Sequence, residues 1–209
     1  FHEKILKYER VIHGNHVIVQ PADELIPVET IYEPLSGLRL NPMPDGSAFF
    51  ELTRGCPHKC SYCLYSKNFN RIRELPFRLL VDILTDTRHA GRFTELYVLS
   101  PALNNTKQFS RSIEALSRIN HGIRLHSEMR AGGIDKSTAE LLYKAGFRSM
   151  EVGLQTTNID SLQRVGRNSR PEREIEGMRY LKNAGIDIKI GLMPGLPGDS
   201  KESFLAMTD

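Results

Sequence analysis

From residue 48 onward the chain alternates short apolar runs with amphipathic stretches, and this rhythm limits the folds open to it more than any other feature. Ala48 to Leu52, Leu96 to Leu99, Ile123 to His126, Ser149 to Val152 and Ile186 to Leu192 read as strands. Between them, Pro76 to Ala90, Lys107 to Ile119, Lys136 to Ala145 and Pro171 to Ala184 carry apolar residues at helical spacing, with Leu79, Leu80, Ile83 and Leu84 on one face of the first. Asp135 stands where an N-cap is needed and Gly146 where a helix stops, while Pro171 and Gly185 frame the fourth helix. Another helix opens at Ser200. Repeated strand–helix alternation predicts an α/β fold with a parallel sheet covered by helices.

The polar residues favour a barrel over a doubly wound open sheet, which the pattern alone leaves open. Each strand is followed by polar or glycine-rich positions: the cysteines after the first, Ser100-Pro101 after the second, Glu128 and Arg130 after the third, Gln155 after the fourth and Met193-Pro194-Gly195 after the fifth. In barrels the C-terminal strand ends carry the active site. Five strands do not close a barrel, so the expectation is a partial TIM-type (β/α)6 barrel, truncated after about five β/α units, with a further unit beyond Asp209.

The loop after the first strand holds all three cysteines, Cys56, Cys60 and Cys63, spaced C-x3-C-x2-C within Glu51 to Lys67. An odd count in a chain of 209 residues, large enough to bury a proper core, argues against a disulfide framework. Three thiolates can hold three irons of a [4Fe-4S] cube and leave the fourth without a protein ligand, whereas ordinary electron-carrying clusters use four cysteines. An open iron can bind a small molecule and act on it, which points to an enzyme. Zinc is the rival, because His58 could complete a Cys3His tetrahedron. Structural zinc sites usually join two knuckles, however, and His89, His121 and His126 are scattered.

Composition narrows the partners. With 28 basic and 25 acidic residues the net charge is +3, too balanced to argue for nucleic acid, and the basic run Lys67, Arg71, Arg73 and Arg78 reads first as a solvated helix face. The hydrophobic fraction of 40% and charged fraction of 25% are those of an ordinary globular protein. No apolar stretch approaches a membrane span and no signal-peptide pattern opens the chain. Grouped cysteines then fit the reducing cytoplasm.

Residues 1–45 read differently. Val17-Ile18-Val19 is a short strand after the turn-like Gly14-Asn15, and prolines recur at 21, 27, 34, 42 and 44. That spacing disfavours helix and central strand and gives an extended connector or a packed arm. The division expected is an N-terminal extension over 1–45 and a core domain over 46–209. The chain opens on Phe1 rather than Met and stops inside a helix, as a portion of a longer protein would.

Residues 48–205 resemble the radical S-adenosylmethionine (SAM) superfamily, whose C-x3-C-x2-C loop follows a first strand and carries an aromatic just before the last cysteine, here Tyr62. The resemblance implies a partial (β/α)6 barrel in which the open iron chelates the amino and carboxylate groups of SAM. It also implies that an electron from the cluster cleaves the sulfonium to a 5'-deoxyadenosyl radical, which abstracts hydrogen from the substrate. The cofactor carries the hard chemistry, so no catalytic side chain is singled out. By resemblance, Glu128 in Ser-Glu-Met-Arg and Gln155 in Val-Gly-Leu-Gln-Thr contact SAM, Gln155 at the ribose. Arg130 pairs with the SAM carboxylate, and Arg167 matches an arginine at the same offset after the glutamine. The run Gly191 to Gly198, with Met193, packs around adenine. Many members carry a Gly-Gly-Glu-like run after the second strand; here Leu99-Ser100-Pro101-Ala102 leaves the SAM amine to backbone carbonyls or Ser100. Gly191 likewise stands where many coproporphyrinogen-oxidase-like members have an aspartate.

Glu-Leu-Thr-Arg-Gly-Cys-Pro-His-Lys-Cys is most similar to the class with an upstream cobalamin-binding domain, whose connector residues 21–44 would be. That resemblance implies a transferase using a [4Fe-4S] cluster, SAM and cobalamin held by a domain outside this chain. It further implies an external electron donor of flavodoxin or ferredoxin type and a small-molecule or peptide substrate. Two alternatives stand beside methyl transfer. One is methylthiotransferase-like modification of RNA or protein, whose members carry extra cysteines upstream that residues 1–55 lack. The other is a zinc or iron–sulfur module without turnover.

Overall fold

The computed structural model describes residues 8–13, 16–21, 40–86 and 91–208. Two strands near the N-terminus, β1 (Tyr8–His13) and β2 (His16–Pro21), pair antiparallel as a separate ribbon. The strand expected at Val17–Val19 is the middle of β2, whereas β1 was not foreseen. The turn at Gly14-Asn15 and most of the proline-rich connector (22–39) lie outside the described residues.

The main sheet has five strands, all parallel, in the order β3 (Ser47–Glu51), β6 (Glu95–Leu99), β7 (Arg124–Met129), β8 (Phe147–Gln155), β9 (Asp187–Leu192). Spatial order equals chain order. A doubly wound sheet reverses its order at a switch point, and this one never does, so the architecture is the partial barrel. Between these strands lie α2 (Phe77–Thr85), α3 (Phe109–Leu116), α4 (Lys136–Lys144) and α6 (Pro171–Asn183). Shorter elements decorate the strand ends: the ribbon β4 (Thr53–Arg54) with β5 (Arg73–Glu74), α1 (Leu64–Asn68), α5 (Ile159–Arg164) and, after β9, α7 (Lys201–Thr208).

The helices bury their apolar stripes on one face of the sheet. Leu79, Leu80, Ile83 and Leu84 of α2, Ile113 and Leu116 of α3, Ala139 and Leu142 of α4 and Leu181 of α6 close over Ala48, Phe50, Leu96, Val98, Leu125, Phe147, Met150 and Val152. Several of these are fully buried, and each large one stabilises the fold by about 1.5–3 kcal/mol through removal from water. Asp135 caps α4 as expected, accepting from Thr138 N at 2.8 Å, and Pro171 occupies the first turn of α6. The helix expected from Lys107 starts at Phe109, because a 3-10 turn at Leu103–Asn105 takes up the chain first. Strand β8 is longer than the apolar run Ser149–Val152 indicates, since neighbours on both sides continue its ladder. Among the described residues no helix is long and apolar enough to cross a membrane.

Alternate residues of the same strands face the concave side. The registers Phe49↔Tyr97↔His126↔Ser149 and Glu51↔Leu99, Glu128↔Glu151↔Lys189 place these side chains in rows across the lumen. There Phe49 is 48% and Leu99 42% exposed, so this face is open where the outer one is sealed. Phe49, Tyr97 and His126 stack side by side, with centroids 5.0 and 4.6 Å apart.

Candidate functional site

The cysteine loop is held at both feet. Strands β4 and β5 pair immediately before and after it, and Leu75 N donates to Leu52 O at 2.9 Å. Within the loop, Cys56 N donates to Phe69 O at 2.9 Å and Gly55 N to the Tyr65 hydroxyl at 3.0 Å. Gly55 has φ +101°, and a Cβ there would stand 1.8 Å from Arg71 O, so only glycine lets the chain turn this tightly toward Cys56. Cys63 then caps α1, its Sγ accepting from Ser66 N at 3.5 Å, while its own N–H donates to Cys60 O at 3.0 Å. Cys60 is buried, and Cys56 and Cys63 are half-buried.

The loop docks on the segment linking α5 to α6. Ser61 N donates to Val165 O at 2.8 Å. Arg167, only 8% exposed, donates through Nη1 to the Tyr62 hydroxyl at 3.4 Å and through Nη2 to Gly153 O, while its Nε is buried without a partner. Burial pushes the Tyr62 hydroxyl up to about 12, against the opposing pull of Arg167, with the neighbouring Cys60 thiol raising it further. The tyrosine therefore stays neutral between thiol and guanidinium. Burial likewise pushes the Cys56 thiol up, partly offset by a hydrogen bond from the His58 backbone N–H.

At the tip of β8 the backbone is irregular. Gln155 has φ +71°, the one non-glycine residue with positive φ among the described residues, and the β8–β9 register shifts between Gly153 and Gln155. Its side chain folds back over Gly153, where a Cβ would meet Gln155 Nε2 at 2.3 Å. Such strain is held in place by its surroundings and concentrates at functional sites. Met193 N donates to Gln155 O at 2.8 Å, which joins the tips of β8 and β9. The loop after β9 is fastened to α5: Asn158 Nδ2 donates to Gly198 O at 3.1 Å, and Ser161 Oγ and Thr156 Oγ1 donate to Asp199 Oδ1 at 2.9 and 3.2 Å.

The structure thus gathers Cys60, Tyr62, Arg167 and Gln155 around the end of β8, with Met193 beside them. The other candidates stand elsewhere. Glu128 lies lower in the lumen opposite Glu151; although its side chain reaches solvent, partial desolvation, then that second carboxylate, push it above the usual range. Both line a shallow recess of about 80 Å³, open to solvent, with Tyr97, Leu99, His126, Ser149 and Lys189. Ser100 is buried and its hydroxyl is engaged with Thr53 Oγ1 at 2.5 Å. Arg130 Nη1 lies 3.1 and 3.2 Å from the two ring nitrogens of His58, and its Nη2 donates to Asn168 O at 2.6 Å.

Sequence reading missed the residues that hold these groups. Glu174 is 2% exposed, accepts from Ala131 N at 2.7 Å and Gly132 N at 2.9 Å, and stands 3.6 Å from Arg130 Nε. A signal was present: Glu174 shares the buried stripe of α6 with Gly177, Met178 and Leu181, so a carboxylate sits at a core position of a helical repeat. Asn104 clasps the Arg130 backbone from both sides, and Asn105 reaches the His58 ring at 3.1 Å.

Three thiols on one loop are a donor set suited to the corners of a cluster. Among the described residues no three His, Cys, Asp or Glu side chains converge closely enough for one metal ion, and the His58 ring is taken up by Arg130 and Asn105. The cysteines of a cube bind different irons and need not meet at a point. The unpartnered Arg167 Nε beside them suits the carboxylate of a ligand bound there.

Comparison with known proteins agrees with this geometry. The chain is 26% identical over 216 residues to a bacteriochlorophyllide d C-12(1)-methyltransferase of Chlorobaculum tepidum, covering 95% of this chain and 45% of the relative. It is 21% identical to a ribosomal protein uS12 methylthiotransferase, RimO, of Pseudomonas fluorescens, covering 97% of this chain and 49% of the relative. Its fold is similar to that of the radical SAM methyltransferase TsrM from Kitasatospora setae, solved with cobalamin and a [4Fe-4S] cluster bound. There the TM-score is 0.68 at 20% identity, covering 78% of this chain and 33% of TsrM. The chain therefore spans about half or less of the length of these relatives. The family model described as the Radical SAM superfamily matches residues 50–209, most of the chain and all of the parallel sheet beyond the first strand's opening residues, and the chain belongs to that superfamily.

Proposed function

We propose that this barrel is the SAM-cleaving unit of a methyltransferase that also uses cobalamin, carried by a part of the protein outside these residues. One observation supports it above the rest: the cysteine loop, Arg167 and Gln155 meet at one strand tip, with a buried guanidinium nitrogen left unpartnered. The similarity to a bacteriochlorophyllide methyltransferase and to TsrM supports the reaction type.

Cys56, Cys60 and Cys63 would hold a [4Fe-4S] cluster, which when bound supplies the electron that splits the sulfonium of SAM. Arg167 would bind the SAM carboxylate, for which a planar guanidinium is suited. Gln155, held over Gly153 by its unusual backbone, would hydrogen-bond the ribose. Tyr62, kept neutral by burial, shields Cys60 from water and steadies Arg167. Withholding water matters because it protects reactive intermediates from side reactions. The open recess below, lined by Tyr97, Glu151 and Lys189, leaves room for a substrate on the concave side.

The test is anaerobic reconstitution of the chain with iron and sulfide, reduction, and addition of SAM with cobalamin. The expected result is a brown protein that consumes SAM to 5'-deoxyadenosine or, when a methyl group is moved, S-adenosylhomocysteine. A colourless protein holding one zinc and leaving SAM intact overturns the proposal. The methylthiotransferase reading is supported by RimO, but these 209 residues contain only the three cysteines of one cluster motif.

A further inference from the structure

Arg130 sits beside the cysteine loop, yet its geometry is that of a strut. Its main chain is clasped by Asn104, whose Oδ1 accepts from Arg130 N at 3.2 Å and whose Nδ2 donates to Arg130 O at 2.7 Å. Its guanidinium is occupied on three sides. Nε faces Glu174 Oε1 at 3.6 Å, Nη2 donates to Asn168 O at 2.6 Å, and Nη1 reaches the His58 ring at 3.1 to 3.2 Å. An arginine can only donate, so the ring must accept through a lone pair. Asn105 Nδ2 also lies 3.1 Å from Nε2 of this ring.

The anchor of this strut is Glu174, one of the most deeply buried charged groups in the described structure. Its Oε2 accepts from both Ala131 N and Gly132 N, so the carboxylate has three donors around it: two amides and a guanidinium. A buried carboxylate is tolerated only when paired and hydrogen-bonded in this way. The other end of the chain of contacts is His58, which lies in the loop between Cys56 and Cys60. Fixing the ring of His58 therefore steadies the stretch of backbone that carries Cys56 and Cys60.

Hydrogen bonds to ligand sulfurs, nearby charge and solvent access set the potential of an iron–sulfur cluster. We propose that Glu174, Arg130 and His58 form one brace that tunes the reduction potential of the cluster held by Cys56, Cys60 and Cys63. The proposal rests on the radical SAM reading above. It gives Arg130 a different task from binding SAM: its cationic head, held beside the cysteine loop through His58, stabilises the more negative, reduced cluster. Arg130 and Glu174 are positioning residues, since neither bonds a cysteine directly.

The experiment is a redox titration of the reconstituted chain, followed by the electron paramagnetic resonance of the reduced cluster, without SAM. Leaving SAM out removes the contribution that bound SAM would itself make to the potential. Arg130→Met and His58→Ala should each shift the midpoint to more negative values. The expected size is about a tenfold fall in the reduced-to-oxidised ratio at fixed potential, which is ~59 mV for a one-electron couple. Arg130→Lys, which keeps the charge but not the fork, should fall between wild type and Arg130→Met. The double variant Arg130→Met/His58→Ala should shift little further than either single change, since members of one network are not additive. A purely structural role would lower the amount of cluster loaded without moving the midpoint of the loaded fraction. Wild-type midpoints in both single variants, or shifts that simply add, overturn the brace and leave the radical SAM reading standing. A wild-type chain that takes up no cluster overturns both.

Discussion

The two faces of one sheet differ more than any two domains of the molecule. On strand β8, Met150 and Val152 turn outward and are fully buried under α4 and α6, while Ser149, Glu151 and Gly153 turn inward to an open lumen. The side chains alternate with period two, so neighbours in sequence serve opposite purposes. Outward positions hold the fold together; inward positions and the strand tips are released from that duty and can be polar, strained or exposed. Changes on the two faces should therefore fail in different ways.

The sharpest break is expected at the strand tips. Cys60→Ala should abolish cluster assembly completely while leaving the unfolding midpoint of the apo-protein near that of wild type; iron and sulfide analysis of a folded sample that still holds a full complement would show that the ligand set is wrong. On the outer face, Met150→Ala removes a side chain with 0% exposure and should cost about 2–5 kcal/mol in denaturant unfolding. The folded fraction should still load its cluster, and a variant that lost cluster uptake while keeping its stability would erase the distinction between the faces. Next in size, Gln155→Ala should weaken SAM binding by about 1 kcal/mol, the scale of a single hydrogen bond. Calorimetry giving unchanged affinity would assign Gln155 to packing alone.

The smallest effect is a pH dependence from the lumen. Partial desolvation and then Glu151 raise the Glu128 carboxyl above its ordinary value of 4.5. Between that value and the raised native one, the folded chain keeps a proton that the unfolded chain has released. Stability then falls as pH rises through this window and stays reduced above it. Glu128→Gln should flatten that decline, and a pH series of unfolding midpoints as steep as wild type would place the effect on another group.

Much of this arrangement was legible in the residues. The strand–helix rhythm gave five parallel strands in order, and Asp135 and Pro171 marked helix starts that the structure repeats. Cys56, Cys60 and Cys63 lie in one loop, so their proximity needed no tertiary information. Arg167 and Gln155 came from resemblance; the structure sets both against Gly153, and Arg167 also reaches the cysteine loop through Tyr62. Other readings depended on partners that sequence does not display. Ser100 offers a hydroxyl in the right loop, yet Thr53 takes it, 47 residues away. Arg130 has the charge to hold a carboxylate, yet His58, Asn168 and Glu174 surround it.

Taken alone, the sequence determined whatever is carried by short-range pattern: which segments become strands and helices, that the sheet is parallel, and which three thiols share a loop. Periodicity and spacing are local properties, and backbone geometry translates them directly into structure. Only the tertiary structure decided which polar groups are free and which are already engaged. A hydrogen bond forms between whatever groups folding brings within about 3 Å, however distant they are along the chain. The pairing of Glu174 with Arg130, 44 residues apart, is a decision of that kind.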